Sequence, residues 1–286
     1  MTLLEKMSSI NYTEIPPSNG LEGLVKCFWH LDKDASPQTP SVERVLPAGC
    51  VELLFHFGSR YLSRETATNQ FTEIPRFYVL GQSVQHREVK QTGPVEVIGC
   101  RFYPWGAFPF FDFSLMALSN KRNPVGRFFQ RETERLITRM TNARSKEEAI
   151  AVLQAALAAI CHGKLAEVDY MRRAISIIIE TGGNMASKQL AERLGITTRQ
   201  LERKFSARIG ISPNAFSQIV RLQNFLKKKI DQPELSLTHL AYECGYADQS
   251  HLCRDFKKFT GLTPSEYFSN YGYVKATHRY LAMRLF

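Results

Sequence analysis

The sequence has no long hydrophobic run. No stretch of its 286 residues approaches the ~20 consecutive apolar residues that a membrane-spanning helix needs. The first twenty residues, MTLLEKMSSINYTEIPPSNG, also lack the apolar core of a secretory signal peptide. We therefore expect a soluble, cytoplasmic protein that has no membrane partner.

The cysteines and histidines form no recognisable metal or disulfide pattern. The six scattered cysteines favour reduced thiols in a cytosolic protein; they are Cys27, Cys50, Cys100, Cys161, Cys244 and Cys253. Three histidines of the first half stand alone: His30, His56 and His86. His251 and Cys253 are close in sequence, but on a helix they would point about 200° apart. We expect no metal site and no required cofactor.

Motifs of catalysis are missing as well. The chain has no GxSxG, P-loop, GxGxxG or HExxH pattern, so we expect no catalytic residues and no enzyme. What the chain does have is positive charge, with a formal net charge of +10 and a pI of about 9.4. This balance favours nucleic acid or another polyanion as the partner.

The last third contains an internal repeat. The segments 188–216 and 238–268 align, first at an offset of 50 and then at an offset of 51. The matching pairs are Leu190/Leu240, Ala191/Ala241, Gly195/Gly245, Leu201/Leu252, Phe205/Phe256, Gly210/Gly261 and Pro213/Pro264. Each copy predicts a short helix, a glycine turn and a second helix, which is a helix-turn-helix.

Capping residues set the predicted ends of these helices. The first copy predicts helices over 187–194 and 198–209, and the second over 237–244 and 248–260. Asp248 suits an N-cap and Gly261 the residue after the last turn. A helix over 213–229, opened by Ser212 and Pro213, links the two copies and could hold them about one DNA turn apart, roughly 34 Å.

The repeat resembles the DNA-binding domain of the AraC/XylS family of transcription regulators. The resemblance covers roughly 168–270, and the stretch GYADQSHLCRDFKKFTGLTPSEY is close to the second signature of that family. It implies a sequence-specific regulator, an activator more than a repressor, that binds double-stranded promoter DNA and acts with RNA polymerase. The sequence does not identify the operator or the sign of regulation.

Exposed positions near the starts of the two second helices are the candidate DNA contacts. Arg199 and Arg203 share one helix face and suit guanine recognition. By resemblance, the base-contacting positions are Arg199, Glu202, Arg203, Gln249, Ser250, Cys253 and Arg254. Residues that suit phosphate contacts are Thr198, Lys204, His251, Lys257 and Lys258. The alternative for each charged residue is a solvated helix face.

The first half has strand character. The runs KCFWHL, VELLFHFG, RFYVLG and VEVIGCRFYP are rich in β-branched and aromatic residues and are separated by Pro and Gly. They predict a small β-sandwich or barrel, and the stretches LPAGCVELLFHFG and GCRFYPWGAFPFF resemble the cupin-like domain of one AraC/XylS subgroup. Aromatic residues that could line an effector site or simply form core are Trp29, Phe55, Phe77, Tyr78, Phe102, Tyr103 and Trp105.

Between the halves, residues 120–161 look helical. The apolar face of SKEEAIAVLQAALAAIC either packs within the chain or pairs with a second copy, and the resemblance implies a homodimer. Upstream, Arg127, Arg131, Arg135 and Arg139 are spaced by four, down one helix stripe. They form either a solvated face or an anion site, for which cyclic di-GMP is one hypothesis.

The predicted fold class is therefore α+β, with four regions. These are a cupin-like sensor barrel at 1–118, a helical linker or dimerisation region at 119–166, an all-α double helix-turn-helix domain at 167–270 and a basic tail at 271–286. The candidate effector residues are Arg127, Arg131, Arg135, Arg139, Trp29 and Trp105. Two alternatives stay open: a constitutive DNA-binding regulator whose first half only dimerises, and an enzyme-like barrel with an accessory DNA-binding module.

Overall fold

The computed structural model describes residues 10–33, 42–65, 68–129, 132–161, 163 and 165–270. Its strands are β1 Ile10–Ile15, β2 Val25–Lys33, β3 Val42–Val45, β4 Glu52–His56, β5 Tyr61–Arg64, β6 Phe71–Glu73, β7 Phe77–Leu80, β8 Arg87–Gln91, β9 Val95–Phe102 and β10 Arg122–Pro124. Its α-helices are α1 Gly126–Phe129, α2 Thr133–Thr141, α3 Lys146–Ile160, α4 Leu165–Glu180, α5 Ser187–Arg193, α6 Thr198–Arg208, α7 Pro213–Asp231, α8 Leu237–Glu243, α9 Gln249–Thr260 and α10 Pro264–Asn270. Short 3-10 helices span Phe108–Phe110 and Leu115–Leu118.

The strands form two antiparallel sheets. The large sheet has the order β1-β2-β9-β4-β7-β10 and the small sheet the order β3-β8-β5-β6. The four apolar runs of the sequence became β2, β4, β7 and β9, which are the four inner strands of the large sheet. The predicted α+β class is thus confirmed, and within the described residues the strands pair into two sheets instead of one closed barrel.

The large sheet is covered on both faces. All five residues of β4 are buried, as expected for a strand with packing on each side. One face packs near the small sheet in a minor core that includes Trp29, Leu54 and Tyr78. The indole of Trp29 lies where a side chain on Gly99 would be, so glycine is required at that point of β9.

The other face of the sheet shares a single core with the helices. This cluster is continuous from Phe55 and Phe102 of the sheet to Phe205 and Phe256 of the last third. Because a packed core resists deformation, the sheet half and the helical half are held in one defined arrangement. Within the described residues, no helix has the length and apolar character that a membrane span requires.

The region between the halves differs from expectation in one place. Residues Arg122–Pro124, expected to be helical, form β10 and pair with β7. Of the four arginines expected on one helix stripe, Arg127 lies on α1 and Arg135 and Arg139 lie on α2, which begins at Thr133, so the single stripe stays a prediction. Arg131 and the tail 271–286 lie outside the described residues. The predicted apolar face of α3 is buried at Ala149, Leu153 and Leu157.

Candidate nucleic-acid interface

The first repeat folds as α5, a turn and α6. Thr197 caps α6: its hydroxyl accepts from Gln200 N at 3.2 Å, and Gln200 Oε1 accepts from Thr197 N at 2.9 Å. In the turn, Gly195 has a φ of +66°, a conformation that glycine adopts without strain. Leu201 and Phe205 are fully buried, which fixes the opposite face of α6 toward solvent.

The second repeat uses the same scheme in α8 and α9. Asp248 is the N-cap, accepting from His251 N at 2.6 Å, and Gly261 ends the helix with a φ of +75°. Both assignments confirm the sequence prediction. Leu252 and Phe256 are buried at the positions equivalent to Leu201 and Phe205. The local sequence therefore folds into two copies of one unit.

The linking helix α7 forms the centre of the helical domain. Ser212 caps it by accepting from Ala215 N at 3.1 Å, and Pro213 occupies its first turn as predicted. The helix continues to Asp231, two residues beyond the predicted end. Its Phe225 ring meets Phe256 edge-on at 5.9 Å, so α7 packs directly against the second unit.

Most of the predicted base-contacting side chains are accessible. Arg203 and Arg254 occupy equivalent positions of the two repeats, and both are exposed. Arg199, Gln249 and Ser250 are exposed too, whereas Glu202 and Cys253 are half-buried. The structure therefore presents two matching helix faces, each carrying an exposed arginine two residues before a buried phenylalanine.

The predicted phosphate-contacting residues divide into two groups. Thr198 and Lys257 are exposed. Lys204 and Lys258 already make intramolecular contacts, because the Lys204 ammonium lies 4.8 Å from the Tyr170 ring centre and Lys258 donates to Gln218 at 2.7 Å. These contacts orient both side chains, and their role at phosphate stays a prediction.

His251, predicted to contact phosphate, lies within a network that joins α7 to α9. Its Nε2 is 3.4 Å from Arg221 Nη1 and 3.7 Å from Asp255 Oδ2, and its ring meets Tyr246 edge-on. Burial, followed by the charge of Asp255, raises the pKa of the Tyr246 hydroxyl. The ring of His251 thus supports the second unit from within, and its role at phosphate stays a prediction.

Contacts between the sheet half and the two units were not foreseen from the sequence. Arg44 Nη1 donates to the carbonyl of Thr260, the last residue of α9, at 2.8 Å. Gln223 Nε2 of α7 donates to the buried carbonyl of Pro47 at 2.7 Å. In the first unit, the Ser119 hydroxyl donates to the carbonyl of Gly210. These partners are far apart in sequence, and no local pattern marks them.

The candidate effector residues do not converge on one place. Trp29 lies in the minor core between the sheets, whereas Trp105 stacks on Tyr103 and donates to the carbonyl of Gly23 at 2.8 Å. Arg135 and Arg139 lie beside a largely apolar cleft of about 270 Å³ between α2 and α3. Over the described residues, no group of three or more His, Cys, Asp and Glu side chains could hold a metal ion.

Comparison with known proteins gives two matched regions. Residues 190–270 match the family described as "Helix-turn-helix domain", and residues 13–124 match a domain of unknown function, DUF6597. Over 95 residues, the chain is 36% identical to an uncharacterized HTH-type transcriptional regulator of Haemophilus influenzae, covering 32% of this chain and 31% of that protein. It is 29% identical over 80 residues to the HTH-type transcriptional activator RhaS of Escherichia fergusonii, covering 27% of each chain.

The matched part is limited in both curated relatives. This chain spans about a third or less of the length of each of them. Among solved structures, ToxT from Vibrio cholerae aligns with a TM-score of 0.45 and 11% identity, covering 92% of this chain and 98% of that chain.

Proposed function

We propose that this chain, whose last third is an AraC-type helix-turn-helix domain, is a sequence-specific transcription regulator that binds double-stranded promoter DNA. The AraC/XylS resemblance of that domain is confirmed by the helix-turn-helix match and by the regulators among its relatives. We propose a regulatory role in place of a catalytic one, since the features that converge in the structure are the two DNA-reading units.

One observation carries this proposal. Arg203 on α6 and Arg254 on α9 are exposed at the same position of two equivalent helices that α7 joins. An arginine presented in this way can donate two parallel hydrogen bonds to a guanine edge in the major groove. Two such helices in one chain could read successive faces of the duplex.

Effector sensing, dimerisation and contact with RNA polymerase are the further parts of the proposal. We propose that the sheet half senses a small-molecule effector, whose binding shifts the DNA-binding half between states of different affinity. Dimerisation through α2 and α3, and contact with RNA polymerase, stay predictions. The alternative, a constitutive regulator whose first half only dimerises, is separated from this proposal by whether the full chain binds an effector.

The test is DNA binding by the full chain. A duplex selected by the protein from a random library is compared with a scrambled duplex by fluorescence anisotropy. We expect Arg203→Ala and Arg254→Ala each to weaken binding of the selected duplex by about 10- to 100-fold, the cost of one lost bidentate base contact. Binding of the scrambled duplex should change far less, because it depends mainly on phosphate contacts.

Arg135→Ala is the matched control, since Arg135 is an equally exposed arginine on a helix outside both units. It should leave both affinities unchanged. If the library selection yields no preferred sequence, the proposed function is wrong. If Arg203→Ala and Arg254→Ala lower both affinities by the same factor, these arginines contact phosphate and the base-reading assignment is wrong.

A further inference from the structure

A tight turn joins α4 to α5, the first helix of the first unit, and lies against the linking helix. The turn covers residues 181–184 and continues directly from α4, because Gly183 N donates to the carbonyl of Ile178 at 2.8 Å. Gly183 is buried, and a Cβ added to it would collide with the Ser217 carbonyl oxygen and lie 3.1 Å from Arg221 N. The turn therefore packs directly on the backbone of α7, an approach that only glycine permits.

The same turn also contacts the second unit. Asn184, its last residue, covers the glycine turn between α8 and α9: a Cβ added to Gly245 would be 2.5 Å from Asn184 Nδ2 and would overlap the rest of that amide group. At Gly195, the equivalent glycine of the first unit, an added Cβ would meet nothing within 4 Å. The two turns have similar φ values, +66° and +79°, but of the two only the turn of the second unit is covered in the part of the chain that the structure describes.

Arg221 of α7 connects the turn 181–184 to the second unit. Its Nη2 donates to the carbonyl of Gly183 at 2.9 Å, and its Nη1 lies 3.4 Å from His251 Nε2. The guanidinium carbon is 5.3 Å from the centre of the Tyr246 ring, a distance that suits a cation–π contact. Tyr246 directly follows the glycine turn, and His251 lies in the first turn of α9. One side chain therefore joins three parts of the helical domain.

The first unit lacks the partners for such a contact. Ile196 and Gln200 stand at the positions equivalent to Tyr246 and His251. Isoleucine offers no aromatic face to a guanidinium group, and Gln200 Oε1 already accepts from Thr197 N at 2.9 Å in the cap of α6. The contacts of Arg221 and Asn184 are therefore specific to the second copy of the repeat.

Contacts of this kind bear on the angle between the two units. Long helices bend gently, so a shared helix alone leaves some freedom in the relative orientation of the units at its two ends. A second connection to the side of the helix axis resists that bending. Reading a base requires the side chain to be held within about 10–20° of the correct direction, whereas each base pair turns the duplex by about 34°. The angle between the units thus limits which spacing of two DNA sites one chain can read.

We propose that Arg221 and Asn184 are positioning residues that hold the second unit against the turn 181–184 and thereby fix the number of base pairs between the two DNA sites. This role rests on the proposed function, in which both units read DNA. It is separate from the base-reading role of Arg203 and Arg254, because neither positioning residue needs to touch DNA.

The test uses the full chain and the duplex that it selects from a random library. Base pairs whose identity no longer matters to Arg203→Ala belong to the site of the first unit, and those that no longer matter to Arg254→Ala belong to the site of the second. One base pair is then inserted or removed between the sites, and binding is measured by fluorescence anisotropy. We expect the original chain to bind the altered spacings about 10- to 100-fold more weakly, since the base contacts of one unit are lost.

Arg221→Gln should weaken binding of the selected spacing by about tenfold and leave binding of the altered spacings unchanged. The reason is that a released second unit must be ordered on binding but can follow either spacing. Asn184→Ala should act in the same direction by about threefold. Arg172→Gln is the matched control, because Arg172 is an exposed arginine of α4 that pairs only locally, with Asp169 at 2.8 Å, and it should change neither affinity.

Each alternative role of Arg221 predicts a different result. If Arg221→Gln weakens binding of all spacings by the same factor, Arg221 acts through folding or through phosphate and the positioning role is wrong. The role is also wrong if the original chain binds all spacings equally. In both cases the proposed function stands, whereas a library that yields no preferred sequence overturns the proposed function and this inference with it.

The contact itself is tested without DNA by urea unfolding of a matched pair of variants. Gly195→Ala and Gly245→Ala introduce similar backbone strain, but only Gly245→Ala displaces Asn184. We expect the larger fall in the urea midpoint for Gly245→Ala, and Asn184→Ala should recover that excess while recovering nothing in Gly195→Ala. Equal midpoints, or equal recovery in both glycine variants, would refute the contact whatever the DNA measurements show.

Discussion

The two helix-turn-helix units are alike in themselves and different in how the sheet half holds them. In the first unit, hydroxyl groups make the hydrogen bonds: Ser119 donates to Gly210, and Ser114 donates to the carbonyl of Ser206 at 3.3 Å. The Arg208 guanidinium of that unit also lies 5.2 Å from the centre of the Phe108 ring. In the second, Arg44 donates to Thr260 at 2.8 Å. Arg44 is itself held by Glu88, whose other oxygen accepts from Arg64 at 2.5 Å.

This difference indicates which unit can respond to conditions. Neutral hydroxyl contacts are insensitive to moderate changes in pH or salt, whereas contacts through charged groups depend on both. We therefore expect the hydrogen bonds that attach the second unit to depend more on pH than those that attach the first.

The largest expected effects come from the equivalent glycines Gly210 and Gly261. Each has a positive φ, +97° and +75°, so alanine at either position should cost about 2 kcal/mol of stability from backbone strain alone. An added Cβ at Gly210 would also lie 3.0 Å from the carbonyl oxygen of Leu115, whereas at Gly261 it would meet only the His86 ring. Urea unfolding of Gly210→Ala and Gly261→Ala measures both losses.

A second substitution, added to each glycine variant, distinguishes the contacts that the sheet half makes with the two units. His86→Ala should recover part of the stability lost in Gly261→Ala, because it removes the side chain in the way. Ser119→Ala should recover little in Gly210→Ala, because the Leu115 carbonyl belongs to the backbone and cannot be trimmed. Equal recovery in the two double variants would contradict the difference between the units.

The next effect is a dependence of the folding stability on pH, which comes from the Glu88 carboxylate. Burial alone would raise the pKa of Glu88, but hydrogen bonds from Arg64 and Arg44 and their charges hold it below its usual 4.5. A folded-state pKa below the unfolded value adds stability above the unfolded pKa, and this stability is lost as pH falls through the folded pKa. We expect Glu88→Gln to cost about 1 kcal/mol at pH 7 and less as the pH falls below 4.5.

Unfolding curves of both proteins at a series of pH values check this prediction. Glu266→Gln is a useful control, since the Glu266 carboxylate is also hydrogen-bonded, to Thr263, but touches neither the sheet half nor Arg44. A constant difference between the original protein and Glu88→Gln at all pH values would show that Glu88 is not held by its arginines.

The smallest expected effect is on the salt dependence of DNA binding, and it distinguishes two neighbouring lysines of α9. Lys257 is exposed, and no hydrogen bond or ion pair within the described residues occupies its ammonium, whereas Lys258 donates to Gln218. We expect Lys257→Ala to lower the slope of log affinity against log salt by about 0.9, the value for one phosphate contact. Lys258→Ala should lower it by less, and the position equivalent to Lys257 in the first unit, Ser206, should not contribute. Titrations at several salt concentrations decide between these outcomes.

Much of the helical domain could be predicted because its signals are local. Asp248 and Thr197 cap helices through hydrogen bonds to residues three positions away, and buried Leu and Phe side chains recur at helical spacing. The strands were harder to predict from the sequence. The apolar inner strands were identified, but the shorter or more polar strands carry little periodicity; these are β3, β5, β6 and β8. β10 was mistaken for helix because three residues set no period, and its pairing with β7 decides its conformation.

The candidate site residues also differ in how far the local sequence predicts their placement. The exposure of Arg203 and Arg254 follows from helix geometry once the buried face is known. Among the arginines spaced by four, Arg127 lies on α1 and Arg135 and Arg139 lie on α2, and spacing alone does not show where each helix begins.

The sequence by itself determined the two helix-turn-helix units, their caps and their outward arginines, because each depends on contacts within a few residues along the chain. Only the tertiary structure decided which residues of the sheet half hold each unit. Arg44 and Thr260 are 216 positions apart, and Gln223 and Pro47 are 176 apart. Such contacts leave no periodic trace in the sequence, since they form only when the shared core has brought the two halves together.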